Sequence, residues 1–356
     1  MPQLRVLLVC DWFLKDTAHL APELKKLGAE VALLCTRRAE EFADFDERAR
    51  ALDPVRAADI PVIELDPSMR KLAPQLQALM SSRRVARWRP DVVFAHDNRD
   101  PRLLLMTRAW PTVINVHDPV PHPGEKAPTW YRRPVSAAWT RRATVVTVHG
   151  EALKEELLRR MPAMRVATVP LGIVPHAEPN PLPLSPAVLF FGRLHEYKGI
   201  DILLAAMPLV WKARPDVRLI IAGGGPLESL IPTDPRVTAR LGYIPEADID
   251  GVFSQATLLV LPYRQASQSG PGGRALERGI PVIATSVGAL PELVRDPEAL
   301  VPPNDPNALA RAIIGKLDHD DRTRQNLLDD AERRMSWRAS AARLLDIFAA
   351  ESNRQT

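Results

Sequence analysis

The sequence predicts an α/β protein made of two doubly wound, parallel-sheet domains in tandem. Three observations predict it. Short, continuously apolar runs fit strands covered on both faces, and segments with helical spacing alternate with them along the chain. A proline-rich break then divides two stretches that each show this alternation, in a chain of 356 residues, long enough for two cores.

Residues 4–9 form the first apolar run. The run is too short for a signal-peptide core and has no small-residue cleavage site, so a buried first strand is expected. Residues 18–27 carry Leu20, Leu24 and Leu27 at helical spacing and end at Gly28; 31–34 and 62–65 are the next strands. Residues 72–88 read as a helix stopped by Pro90, and 91–94, 112–116, 144–148 and 165–169 as strands, with a helix over 151–160. Four prolines in residues 177–186 exclude a helix or central strand and predict a stiff extended linker. The alternation restarts with strands at 187–191, 218–222, 258–261 and 281–284 and helices at 200–210 and 307–317. Trp337, Ala341, Leu344, Leu345 and Phe348 mark one face of a last helix. The expected division is therefore 1–176, a linker at 177–186, 187–335, and a terminal helix over 336–356. Two such halves imply a ligand cleft between them, at the carboxyl ends of the strands.

Composition narrows the function classes. Hydrophobic residues at 46% and charged residues at 25% exclude collagen, coiled coil and disorder. No segment approaches the roughly 20 apolar residues of a membrane span. Cys10 and Cys35 lie in apolar runs and read as reduced, buried thiols of a cytoplasmic protein. The net charge is +4, with the excess of base in residues 1–176; this favours anionic partners without choosing among phosphate, nucleic acid and membrane. No nucleic-acid motif is present.

Four blocks could carry chemistry. Gly192-Arg193-Leu194-His195-Glu196-Tyr197-Lys198-Gly199 follows a strand and places two cations in the turn before a helix, a pair suited to a diphosphate. Gly223-Gly224-Gly225 also ends a strand, but Pro226 and Leu227 break the dinucleotide-binding fingerprint, which disfavours a nicotinamide enzyme. The third block is Leu241-Gly242-Tyr243-Ile244-Pro245. In the fourth, Ser267-Gln268-Ser269-Gly270 precedes a helix start that suits an anion.

In order, Gly192-Arg193, Lys198-Gly199, Ala222-Gly223, Gly242-Tyr243-Ile244-Pro245 and Leu261-Pro262 resemble glycosyltransferase family 4. Gly279-Ile280-Pro281-Val282-Ile283-Ala284-Thr285, Val287-Gly288, Pro291-Glu292-Leu293 and Ser336-Trp337 continue the pattern. The resemblance implies the GT-B fold, two Rossmann-like domains facing a central cleft: an acceptor-side domain, a nucleotide-sugar donor domain, and a last helix returning to the first. It implies transfer of a sugar from a UDP- or GDP-type donor to an acceptor hydroxyl with retention, and no metal or other cofactor. The acceptor would be a glycan, a lipid-linked molecule or a small molecule. Carried over by position, Arg193 and Lys198 hold the diphosphate and stabilise its developing charge. Gly192, Tyr243, Ile244, Ser267, Gln268, Ser269 and Gly270 meet the donor. His117, just past a strand end, meets the donor sugar or the acceptor. Asp118, His122 and Glu125 are acceptor-side candidates. His96 and His149 also end strands and read as hydrogen-bonded structural histidines.

Two departures stand out. The family's paired glutamates fall on Ala266 and Arg274, and the loop 11–17 lacks glycine. They motivate a second reading, a catalytically weakened sugar-nucleotide-binding paralogue that acts through a partner protein. Arg83, Arg84 and Arg87 beside Trp88, and Arg132 and Arg133 near Trp139, are readable either as solvated helix faces or as a peripheral contact with an anionic membrane.

Overall fold

A computed structural model describes residues 3–38, 41–42, 44–68, 70–96, 100–117 and 134–354. These divide into two compact units, one of 3–117, 134–172 and 337–354, the other of 173–336.

The first unit is built on seven strands, β1 (Arg5–Cys10), β2 (Glu30–Thr36), β3 (Val62–Leu65), β4 (Val92–Ala95), β5 (Thr112–Asn115), β6 (Val145–Val148) and β7 (Val166–Thr168). Their order is β3-β2-β1-β4-β5-β6-β7, and the pairs are parallel. Alternation along β1 feeds two layers, because successive side chains of a strand point to opposite faces. Val6 and Leu8 pack with Leu20, Leu24 and Phe348 on one face. Leu7 and Val9 pack with Val85, Leu103 and Trp139 on the other.

The terminal helix Trp337–Ser352 belongs to this first unit and packs on the helix Leu14–Lys26. Phe348 is completely buried and lies 5.5 Å from the Phe94 ring. Burial of such a side chain contributes about 1.5–3 kcal/mol. Arg165 and Glu351 form an ion pair at 2.6 Å, and Arg343 Nε donates to the Thr168 carbonyl at 2.7 Å.

The second unit has six strands, β8 (Ala187–Phe191), β9 (Arg218–Gly223), β10 (Val237–Leu241), β11 (Leu258–Leu261), β12 (Val282–Thr285) and β13 (Leu300–Val301). Their order is β10-β9-β8-β11-β12-β13, again with parallel pairs. In both sheets the strand order reverses once, between β1 and β4 and between β8 and β11. Ligands of such sheets bind at that switch point, beyond the carboxyl ends of the strands.

Residues 177–186 have no helix or strand, in line with their prolines. They do not, however, stand off as a separate connector. His176 N donates to the Glu277 carbonyl at 2.7 Å and Asn180 N to the Arg278 carbonyl at 3.0 Å. The Arg324 guanidinium reaches the Asn180 carbonyl, so the segment is tied to the second unit from Ile173 onward.

Candidate functional site

In the second unit the candidate residues converge at the switch point. β8 runs out through Gly192 and Arg193, and the turn Glu196–Lys198 leads into the helix Ile200–Ala213. A Cβ on Gly199 would lie 2.0 Å from the Pro262 carbonyl, so only glycine lets this turn close on the segment after β11. Gly223 is similarly constrained, with φ +138° and its missing Cβ 2.0 Å from the Gly192 carbonyl. The three-glycine run therefore serves backbone packing between the loops after β8 and β9, where Leu194 N donates to the Gly224 carbonyl at 2.9 Å.

Two tyrosines organise the two cations. Arg193 Nη2 donates to the Tyr197 hydroxyl at 2.7 Å. The Lys198 ammonium lies 3.8 Å from the Tyr263 ring centroid and 5.1 Å from that of Tyr197. Among the described residues Lys198 has no carboxylate in ion-pair reach, although it is partly buried. A cation held on aromatic faces rather than by an anion stays available to one.

The loop after β11 meets the same turn. Arg264 pairs with Asp201 through two bonds of 2.8 and 2.7 Å, and Arg264 N donates to the Tyr197 carbonyl. Ser267 and Ser269 are buried, and Ser269 Oγ caps the helix Gly270–Leu276 by accepting from Gly272 N at 3.1 Å. Tyr243 presents a ring that is 71% exposed, whereas Ile244 packs on the core. At the two positions where the family carries glutamates, Ala266 packs partly buried on the core and Arg274 is ion-paired with Glu246. Glu277 accepts from Val174 N and pairs with Arg278, which ties down the segment after residue 172.

In the first unit, three histidines gather where β4, β5 and β6 end. His96 Nδ1 lies 3.2 Å from His117 Nε2. The Asn115 amide nitrogen lies 3.1 Å from both His117 Nε2 and His149 Nε2, and Thr147 Oγ1 donates to Asn115 Oδ1 at 2.9 Å. His149 Nδ1 faces the Val169 carbonyl at 3.0 Å, so its proton resides there and its Nε2 accepts from Asn115. The second amide hydrogen then meets His117 Nε2, which leaves the His117 proton on Nδ1. Burial pushes the His117 ring far below its ordinary range, and the neighbouring His149 and His96 push the same way. Burial first, then His149, push His96 down to about 3.

Phe13 stacks on His117 with ring centroids 3.6 Å apart and planes within 9°. Its φ of +64° is the left-handed conformation that glycine adopts freely. The loop without glycine thus still makes the turn, with an aromatic ring covering the histidine. Tyr197 lies inside the block singled out in the sequence but had no role there, and the sequence assigned none to Phe13 or Tyr263. Asp118, His122, Glu125, Arg132 and Arg133 lie outside the described residues. Among those described, no group of His, Cys, Asp or Glu is arranged to hold a metal ion.

The membrane-facing expectation changes in its residues. Trp139 is 2% exposed, a core side chain, and Arg142 beside it donates to the Leu104 carbonyl and to Thr107 and Thr112 hydroxyls. Trp88 donates to Glu30 Oε1 at 2.9 Å. Arg83, Arg84 and Arg87 are exposed, on a helix Leu72–Trp88 whose Leu72, Leu76, Leu79 and Met80 are also more than half exposed. Among the described residues no helix is long and apolar enough to cross a membrane.

Comparison with known proteins is consistent across the chain. Residues 17–177 match the family described as Glycosyltransferase Family 4, and residues 185–319 match Glycosyl transferases group 1. A D-inositol 3-phosphate glycosyltransferase of Corynebacterium glutamicum (strain R) is 33% identical over 178 residues, covering 45% of this chain and 42% of that protein. A phosphatidyl-myo-inositol mannosyltransferase of Mycobacterium leprae (strain TN) is 30% identical over 174 residues, 46% of each. The chain thus spans less than half the length of these curated relatives. Among solved structures, a glycosyltransferase from Rickettsia africae ESF-5 superposes with a TM-score of 0.66 at 14% identity, over 98% of both chains. The sucrose-phosphate synthase of Thermosynechococcus elongatus gives 0.67 at 20%, over 98% of this chain and 99% of that one. Anabaena Alr3699/HepE in complex with UDP and glucose gives 0.63 at 17%, over 98% and 100%. Two parallel-sheet α/β units with these neighbours make a GT-B fold. Each half of the chain thus resembles a glycosyltransferase family model, residues 17–177 the family 4 model and residues 185–319 the group 1 model.

Proposed function

We propose that the protein transfers a sugar from a nucleoside-diphosphate sugar to an acceptor hydroxyl with retention at the anomeric carbon. The observation that carries this reading is Lys198, a partly buried cation on two tyrosine rings with no carboxylate in ion-pair reach among the described residues, in the same turn as Arg193 at a sheet switch point. The acceptor oxygen attacks on the face from which the diphosphate leaves; the anomeric carbon–phosphate oxygen bond breaks, and the departing phosphate takes the acceptor proton. Arg193 and Lys198 stabilise the charge that gathers on that phosphate, and fixed cations in such a place act strongly. The exposed Tyr243 ring supplies a stacking face for the base of a UDP or GDP donor, and Ser267, Gln268, Ser269 and Gly270 line the sugar or phosphates. His117 meets the donor sugar or the acceptor, with Asp118, His122 and Glu125 on the acceptor side. The chemistry needs no metal, because the two cations do its electrostatic work.

The acceptor is a glycan, a lipid-linked molecule or a small molecule, and the inositol-containing acceptors named for the relatives are the first to try. The exposed Leu72, Leu76, Leu79 and Met80 ahead of Arg83, Arg84 and Arg87 suit a peripheral contact with an anionic membrane, at the cytoplasmic face. Calorimetry with a panel of UDP- and GDP-sugars, followed by transfer to inositol 3-phosphate and phosphatidylinositol, tests the reading. Arg193→Ala and Lys198→Ala are each expected to lower turnover by about a hundredfold; near-normal transfer by both variants refutes it. Binding without hydrolysis or transfer favours the weakened paralogue instead, a reading supported by Arg274 and Ala266 in place of the two glutamates.

A further inference from the structure

Lys198 raises a physical question that its own turn does not answer. A lysine ammonium on a four-carbon stem has many rotamers and loses entropy when held in one place. In most partly buried sites a carboxylate holds it, and here among the described residues none does. Its position is instead set by aromatic faces, and the nearer of these belongs to Tyr263, 3.8 Å away.

Tyr263 is itself over-determined. It is completely buried just past β11, on the far side of the switch point from Lys198. Thr285 Oγ1 donates to its carbonyl at 2.6 Å. Arg264 N, next in the chain, donates to the Tyr197 carbonyl at 2.8 Å, and the Pro262 carbonyl sits against Gly199. The ring thus has a fixed backbone, while the lysine stem over it is flexible. At its other end the phenol oxygen lies 3.4 Å from Ser269 Oγ, the cap of the helix Gly270–Leu276. One buried side chain therefore touches a cation after β8 and the polar loop after β11.

We propose that Tyr263 is a positioning residue for Lys198: its ring holds the ammonium where a nucleoside diphosphate is bound, and its hydroxyl ties that cation to the Ser269 loop. The inference rests on the reading of Lys198 as a donor-binding cation and deepens it. A tyrosine kept only to fill the core would act on stability alone, whereas a positioning tyrosine acts on diphosphate affinity through Lys198.

The test is a double-mutant cycle on the full chain, read by calorimetry with UDP and GDP and by thermal unfolding. Tyr263→Leu is expected to weaken diphosphate binding about tenfold, the scale of a partly desolvated cation–π contact. Tyr263→Phe, which keeps the ring, is expected to stay within about threefold. In a Lys198→Ala background, Tyr263→Leu is expected to cost no further affinity, since the two residues act as one unit. Equal weakening by Tyr263→Leu in both backgrounds overturns the inference while leaving Lys198 as a donor residue. Unchanged affinity in Lys198→Ala alone overturns the donor reading itself, and this inference with it. If Tyr263→Leu does not fold, Tyr263→Met takes its place in the cycle with the same expected outcomes.

Discussion

Acidification should unfold the first unit earlier than carboxylate titration would, and His96 supplies a measurable part of the effect. In the folded protein burial holds the His96 ring down to about 3, against about 6.5 for an unfolded histidine. A group whose folded pKa is depressed contributes stability that is complete above the unfolded value and drains away as pH falls toward the folded one. Between pH 7 and pH 5 the unfolded ring takes up most of a proton and the native ring almost none. Integrating that difference gives a loss of about 2 kcal/mol from His96 alone. His117, pushed down by burial and by His149 and His96, adds a loss of the same sign. For a unit of this size about 2 kcal/mol corresponds to roughly 4–8 °C of Tm. The assay is thermal unfolding of wild type and His96→Gln at pH 7 and pH 5, followed by near-UV circular dichroism. Glutamine does not titrate, so the fall in Tm between the two pH values should shrink by that amount. An unchanged fall in the variant, or a His96 ring that titrates near 6.5 by NMR, would refute the reasoning.

Four further outcomes follow from the surroundings of single residues. Gly223→Ala places a methyl 2.0 Å from the Gly192 carbonyl at a φ of +138°, so calorimetry should show at least about tenfold weaker nucleotide binding, together with a lower Tm. Gly251→Ala, where a Cβ meets nothing within 4 Å, should leave binding unchanged and raise stability by about 0.5–1 kcal/mol, as expected in a helix interior. The Cys10 and Cys35 thiols are buried, and burial pushes Cys35 up to about 12 and Cys10 well above its usual value. Ellman's reagent at pH 8 should therefore label neither thiol in the native protein and both in denaturant. The membrane contact proposed above predicts co-sedimentation of the wild type with phosphatidylglycerol vesicles, which Leu76→Glu, at a side chain 51% exposed, should abolish while leaving Tm within about 2 °C.

Much of the framework was legible because buried parallel strands are continuous apolar runs. β1, β8 and β11 stand out for that reason. β10 did not, since Val-Thr-Ala-Arg-Leu is an edge strand with four of its five residues exposed and carries no apolar run to read. The Arg193 and Lys198 turn was legible from glycines and cations at fixed spacing. Trp139 was misread because a tryptophan among arginines looks the same in sequence whether its ring faces out or, as here, into the core. The stack of Phe13 on His117 joins residues more than 100 positions apart and leaves no local pattern.

The sequence by itself determined the α/β class, the two halves, the terminal helix and the pair of cations, since each is written in short-range periodicity or in a motif of a few residues. Only the tertiary structure decided what surrounds those residues. It set Tyr263 beneath Lys198, gathered His96, His117 and His149 around Asn115, and paired Arg274 with Glu246. The physical reason is that a parallel sheet brings together the carboxyl ends of strands far apart in the chain. The chemistry of those ends therefore depends on strand order and register, which no local window contains.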